Sequence, residues 1–254
     1  MAGVKPLGAR CTRAPSALAA KTMALAALIL STLAAAEPSW EPAPGHITGQ
    51  VRYTGPLPPP RDIVTNDGSV LRESLLDVDA KTKGLRHVGV WLKGELPKSS
   101  VGTLAPVVID QKDWRFSPRV VFAVEGQEVR FENSDNVNHS VQAESAAPAN
   151  RFNAIAAPGQ PIRVRFRNQS RPIAIGCSLH PWMRSWVYVT SHRYCAVTDE
   201  RGRFAIRKVP PGTYDLLAEH PDSGLQERTR IQLASGEERC VVVEWDRLPA
   251  PGSR

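Results

Sequence analysis

Three absences narrow the reading of this chain before any motif is considered. The first is an apolar run of membrane length. The stretch M-A-L-A-A-L-I-L-S-T-L at 23–33 falls well short of the roughly 20 apolar residues a spanning helix needs, so no integral span is expected in the mature chain. The second is acid near the start: no Asp or Glu precedes Glu37, whereas Lys5, Arg10, Arg13 and Lys21 come before the apolar run and Ala34, Ala35 and Ala36 follow it. A basic head, an apolar middle and a small-residue end make 1–36 an expected export signal, with a periplasmic or secreted product. A buried N-terminal helix fits that composition poorly. The third is a strong net charge. The whole chain is formally +7, but beyond residue 36 only 28 Lys and Arg face 25 Asp and Glu, a charge of +3. That is too weak a bias to point to nucleic acid. With 22 Pro and 18 Gly in 254 residues, turn-rich β structure is expected over helix bundles, and the length allows two or three domains.

One stretch then concentrates scarce residue types. G-C-S-L-H-P-W-M at 176–183 places a thiolate, an imidazole and a thioether at the spacing C-x2-H-x2-M. Thiolate, imidazole and a weak thioether are the ligand set of a mononuclear copper electron-transfer centre, which takes two His and one Cys in a plane with a long axial Met. The second His must come from elsewhere. His139 follows a strand-like run and the polar turn 134–136, so it can sit at a strand end facing the 177–183 loop. Zinc is a poorer match, because thioether is a weak fourth ligand for it. The plain alternative, in which Cys177 and Met183 are core residues and the histidines surface ones, leaves the concentration of donors unexplained.

The segment 116–189 resembles the cupredoxins, the small blue copper proteins. The resemblance rests on F-S-P at 116–118, V-E-G-Q-E-V-R-F-E-N at 124–133, His139, and the loop C-x2-H-P-x-M, whose short His-to-Met gap is amicyanin-like rather than plastocyanin-like. It implies one type 1 copper per chain, with His139, Cys177 and His180 as equatorial ligands and Met183 as the axial one. It implies a Greek-key β-sandwich with the metal among the loops at one end. It also implies that His180, on an exposed loop, is the electron exit. Pro181 and Trp182 beside it would then form either a small apolar docking patch or packing against the C-terminal unit. The sequence departs from the pattern at Ser140, where cupredoxins often carry an Asn that ties the two ligand loops together.

The whole chain is expected to be all-β, a Greek-key sandwich flanked by smaller sandwich-like units. Residues 37–105 read as an N-terminal β unit with strands near 46–53 and 87–94 and a short helix within 69–78. The central domain is 106–191, with short strands at 106–110, 119–124, 128–133, 140–143, 162–166, 173–175 and 186–190. Residues 192–247 form a third unit, and 248–254 a tail. There the run T-D-x-x-G-x-F-x-I-x-x-V-P-P-G-x-Y-x-L, from Thr198 to Leu216, resembles the carboxypeptidase-regulatory-like, transthyretin-like β-sandwich, a resemblance of fold that is silent on chemistry. The first unit is loosely similar to the β units that flank cupredoxins in exported, methylamine-utilisation-like proteins. With Cys11 in the export signal and Cys177 assigned to metal, Cys195 and Cys240 remain. They are an even pair in an exported chain, for which either a disulfide or two buried thiols is expected, the disulfide being preferred. Arg163, Arg165, Arg167 and Arg171 form a basic run, read as a solvated strand face or, more sharply, as a dock for an acidic redox partner.

For function, the leading expectation is a one-electron carrier serving an unidentified redox partner protein. An enzyme is not expected, because oxidase and nitrite-reductase centres need further His, often as H-x-H pairs, and none occurs here. The alternative is a copper-handling or adhesion module without redox turnover.

Overall fold

The structure, a computed structural model, describes residues 42–250. The expected export signal and most of the tail lie outside the described residues. Among those described, the chain runs β1 (Gly45–Tyr53), β2 (Arg61–Val64), β3 (Val70–Glu73), β4 (Gly89–Lys93), β5 (Val107–Lys112), β6 (Arg115–Ser117), β7 (Val120–Val124), β8 (Glu128–Asn133) and β9 (His139–Glu144). It continues through β10 (Phe152–Ala156), β11 (Ile162–Arg165), β12 (Ile173–Gly176), β13 (Arg184–Thr190), β14 (Cys195–Val197), β15 (Arg203–Val209), β16 (Gly212–His220), β17 (Leu225–Leu233) and β18 (Glu238–Trp245). A single 3-10 turn at Pro148–Asn150 is the only helical element among them. No described helix is long and apolar enough to cross a membrane. The all-β sandwich class is as expected.

The middle of the chain forms one sandwich. A five-stranded sheet in the order β10-β9-β12-β13-β7 faces a four-stranded sheet in the order β11-β8-β5-β6. Alternation explains the strands. In β8, Val129 and Phe131 point inward and are fully buried, while Glu128, Arg130 and Glu132 stay nearer solvent. The core gathers Ile109, Phe116, Phe131, Val141, Ile173, Ile175 and Val187, and it includes Cys177 and Met183. Burying each such aliphatic or aromatic side chain contributes about 1.5–3 kcal/mol before chain entropy is charged against it.

The outer segments depart from expectation. The units anticipated at 37–105 and 192–247 are interleaved. β1 is the centre of a three-stranded sheet, antiparallel to β15 and parallel to β18, and β4 lies between β14 and β16 in a four-stranded sheet that ends in β17. One core holds Ile47, Val51 and Tyr53 from the early segment against Tyr214, Leu216, Val243 and Trp245 from the late one. The central sandwich is therefore an insertion between β4 and β14. The reason is strand pairing. Both sheet neighbours of β1, β15 and β18, come from the C-terminal segment, and β4 lies between β14 and β16 of that segment, so neither segment alone completes its sheets.

The motif at 198–216 has a clear structural basis. Thr198 is buried and accepts from the Val88 N–H at 3.0 Å while donating to the Leu85 carbonyl at 2.7 Å. Asp199 accepts the N–H groups of Arg201 and Arg203, both at 2.8 Å. Gly202 has φ +70°, and a Cβ there would lie 2.2 Å from the Val51 carbonyl oxygen, so only glycine fits.

Two further expectations are corrected. Residues 70–73 are a strand, not part of a helix, because they pair with 61–64 in a hairpin that lies on the central sandwich. No Cys195–Cys240 disulfide is present. Cys195 pairs with Trp91 in one sheet of the outer sandwich and Cys240 pairs with Thr48 in the other, so the two thiols belong to different layers. Burial in its layer pushes the Cys195 thiol up to about 12.

Candidate metal centre

The centre forms where β9 begins and β12 ends. These strands are antiparallel neighbours, with Gly176 opposite Gln142, so Cys177 leaves its strand beside His139 and Ser140 at the start of the other. The loop 177–183 then turns back into β13. Its closing turn is held by the Met183 N–H donating to the His180 carbonyl at 3.0 Å, which returns the Met183 side chain to the core.

His139, Cys177 and His180 converge, with ligand atoms all within 4.8 Å of one another. The two imidazole Nδ1 atoms are 2.9 Å apart, and Cys177 Sγ lies 3.5 Å from His180 Nδ1. All three side chains are buried. Met183 is 1% exposed and belongs to the same buried core as Cys177. The structure therefore brings three of the four expected ligands into one cluster, and buries Met183 in the core that also holds Cys177.

Surrounding groups orient these donors. Asp135 Oδ2 lies 2.9 Å from His139 Nε2, so that nitrogen carries the proton and Nδ1 is left with its lone pair facing the cluster. The same carboxylate accepts the N–H of Asp113 at 2.8 Å and of Trp114 at 3.1 Å. Both donors sit in the left-handed region, at φ +53° and +61°, a conformation that aims successive N–H groups at one carboxylate. Burial lowers the His139 basicity, but its contact with Cys177 and the Asp135 carboxylate outweigh that, and its pKa is raised. Burial pushes the Cys177 thiol up, and the neighbouring His139 imidazole together with the Ser140 N–H more than reverses it, leaving the thiol at about 6.

Ser140 takes over the tie between the two ligand loops. Its N–H donates to Cys177 Sγ at 3.2 Å, and its hydroxyl oxygen accepts the Ser178 N–H at 2.7 Å. A short hydroxyl on the strand beside the loop suffices where a longer side chain was the expected device.

The expectation of a solvent-edge His180 is corrected. His180 is 3% exposed. The Trp114 ring stands edge-on to both imidazoles, at 5.0 Å from His180 and 5.7 Å from His139. The Asn66 side chain reaches His180 Nε2 at 3.2 Å from the β2–β3 turn. Trp182 packs on the central core and donates its indole N–H to the Trp114 carbonyl at 3.1 Å. Large apolar side chains exposed near the centre are Leu179, Val137 and Ile155 instead. Asn66, Trp114 and Asp135 were not singled out from sequence. Only Asp135 carried a signal, its position in the polar turn four residues before His139.

The remaining histidines stand apart. His46 accepts the Lys208 N–H, His87 lies by Asp77, His192 accepts the Tyr194 N–H, and His220 bonds Ser223. Within the basic run, Arg163 and Arg165 flank Glu128 at 3.7 and 3.8 Å on an edge strand, a paired and solvated face.

The donor set suits a soft, one-electron metal. One thiolate and two imidazole nitrogens converge on buried side chains, and the Asp135 carboxylate is engaged on the far nitrogen of His139.

No family model matches the chain, and none of the curated proteins compared with it does. Among solved structures, the chain is similar to a purple cupredoxin from Nitrosopumilus maritimus, 22% identical, covering 33% of this chain and 99% of that one with a TM-score of 0.29. It is similar to a reduced amicyanin variant, 18% identical, covering 39% of this chain and 97% of that one with a TM-score of 0.31. It is also similar to a copper-containing nitrite reductase from Thermus scotoductus SA-01, 22% identical, covering 37% of this chain and only 25% of that one with a TM-score of 0.31.

Proposed function

We propose that this chain is an exported type 1 copper protein that carries one electron at a time between redox partners. The observation that carries the reading is the buried convergence of Cys177 Sγ with the Nδ1 atoms of His139 and His180. His139, Cys177 and His180 would hold the copper and Met183 would be its weak fourth ligand. Copper bound there would supply a reversible one-electron couple. The protein's own contribution is to hold the donors still. Asp135 fixes one imidazole, the Ser140 N–H steadies the sulfur, and the paired strands β12 and β13 of one sheet hold the loop ends. Fixed donors keep the geometry alike in both oxidation states, so little has to reorganise when an electron moves.

A carrier fits better than a catalyst. His46, His87, His192 and His220 each lie elsewhere in the fold with other partners, so among the described residues the Cys and His donors gather at one such centre. The export signal read at 1–36 places the carrier in the periplasm or outside the cell, and its partner is a redox protein.

The test is an optical and EPR spectrum after addition of Cu(II), beside Cys177→Ser. An intense thiolate-to-copper band with narrow copper hyperfine splitting, lost in the variant, is expected. A pale spectrum indifferent to the substitution overturns the reading.

A further inference from the structure

The β2–β3 hairpin comes from the outer segment of the chain, yet its turn lies on the centre. Asp67 closes that turn internally: it is bonded by the Thr65 hydroxyl and accepts the Ser69 N–H at 3.0 Å. The Thr65 N–H donates to the Ser69 carbonyl at 2.8 Å, and Gly68 supplies the φ of +85° that the turn requires. The other oxygen of Asp67 accepts the Trp114 indole N–H at 3.1 Å. The same tryptophan covers both imidazoles, so the turn is anchored on the side chain that roofs the cluster. Farther along, Arg115 donates to the Arg72 carbonyl at 3.1 Å and lies 3.2 Å from Glu73, while Arg119 lies 3.3 Å from Glu73. Held on both sides, the turn sets Asn66 against His180 Nε2.

We propose that this turn is a built cap over the metal centre and that Asn66 is the positioning residue for His180; the second half rests on the copper reading above. The chemistry selects asparagine. An imidazole that offers Nδ1 to a metal carries its proton on Nε2, and that N–H, buried here, needs an acceptor. A half-turn of the Asn66 amide places its Oδ1 where Nδ2 lies, within reach of Nε2. His139 has the matching arrangement with Asp135. The ring of His180 is thereby pinned from behind as His139 is, but by a residue from a different part of the chain. A redox partner approaching this side meets the hairpin and not the imidazole edge.

Two measurements separate the parts. In metal-free protein, carbethoxylation of His180 by diethyl pyrocarbonate, mapped by mass spectrometry, should be slow. It should become at least tenfold faster in Asn66→Ala and Asp67→Ala, with circular dichroism unchanged. Equal rates in all three proteins overturn the cap. In the Cu(I) protein, the His180 Nε2–H should give a slowly exchanging NMR cross-peak that Asn66→Ala makes at least tenfold more labile and that Asn66→Asp, which keeps an acceptor, restores. Lability in the wild type equal to that in Asn66→Ala, or failure of Asn66→Asp to restore the signal, overturns the positioning role. A protein protected in the first experiment but showing no thiolate–copper band has a cap over something other than a copper centre, so the copper reading fails while the cap stands.

Discussion

Asp135 is the residue on which the electrostatics of the centre turn. Its two oxygens serve His139 Nε2 and the N–H groups of Asp113 and Trp114 together, so removing it frees the imidazole and loosens the roof in one step. Orienting partners of metal-bound histidines are typically worth about 10–100-fold in metal affinity. Asp135→Ala should weaken copper binding within that range while Cys177 still gives its charge-transfer band, as read by chelator competition. Unchanged affinity would show that the carboxylate orients nothing. The three residues that converge were legible because Cys177 and His180 share a short loop and His139 follows a recognisable strand and turn. Trp114 and Asn66 were not, since nothing local marks them: one acts through a left-handed backbone and the other through a contact made across 114 residues.

At the scale of elements, seven of the nine central strands could be read to within a residue or two, because in strands such as β8 and β12 the period-2 alternation matches the buried face; β6 and β10 were missed. β2 and β3 escaped because they are only four residues each and largely exposed, with no apolar face for alternation to mark. That hairpin meets the body through a compact charged contact. Arg119 donates to Asp222 at 2.7 Å, Glu73 lies on its other side, and Asp222 also accepts the Trp186 indole N–H at 3.0 Å. Asp222 belongs to the β16–β17 turn, so the three residues join the hairpin, the central sandwich and the outer sandwich. Asp222→Ala leaves a largely buried guanidinium with Glu73 alone. Breaking such a pair costs about 3–5 kcal/mol, and Glu73 should hold the loss to the lower end of that range. Urea unfolding that shifts by less than about 1 kcal/mol would mean the contact is incidental.

For the molecule as a whole, burial also sets the response to acid. Burial first, then neighbouring Arg86 and Arg119, holds His87 at about 4; burial likewise holds His220 at about 4, with Arg119 lowering it and Asp222 opposing. Asp77 faces both and opposes the shift. A folded value below the unfolded 6.5 means that the unfolded chain binds more protons between about 4 and 6.5, so stability rises with pH across that window and is lost as pH falls through it. His220, the more buried, should contribute about 3 kcal/mol of that loss. A urea midpoint that is flat from pH 7 to 4.5 would refute the assignment. The β class and the central sandwich were visible in the sequence, but the interleaving of the flanks was not. Alternation tells which face of β1 is apolar and says nothing of which distant strand covers it. That interleaving has a consequence for synthesis. Thr54 bonds to Trp245, 191 residues later, so β1 emerges from the ribosome long before either of its neighbours exists. The inserted sandwich has all its strands at hand and can close early. The outer one carries the chain's most non-local pairings and must wait, its apolar strand unprotected, until the last strand arrives. Chaperone dependence of this protein should therefore trace to its flanks, not to the domain that holds the metal site.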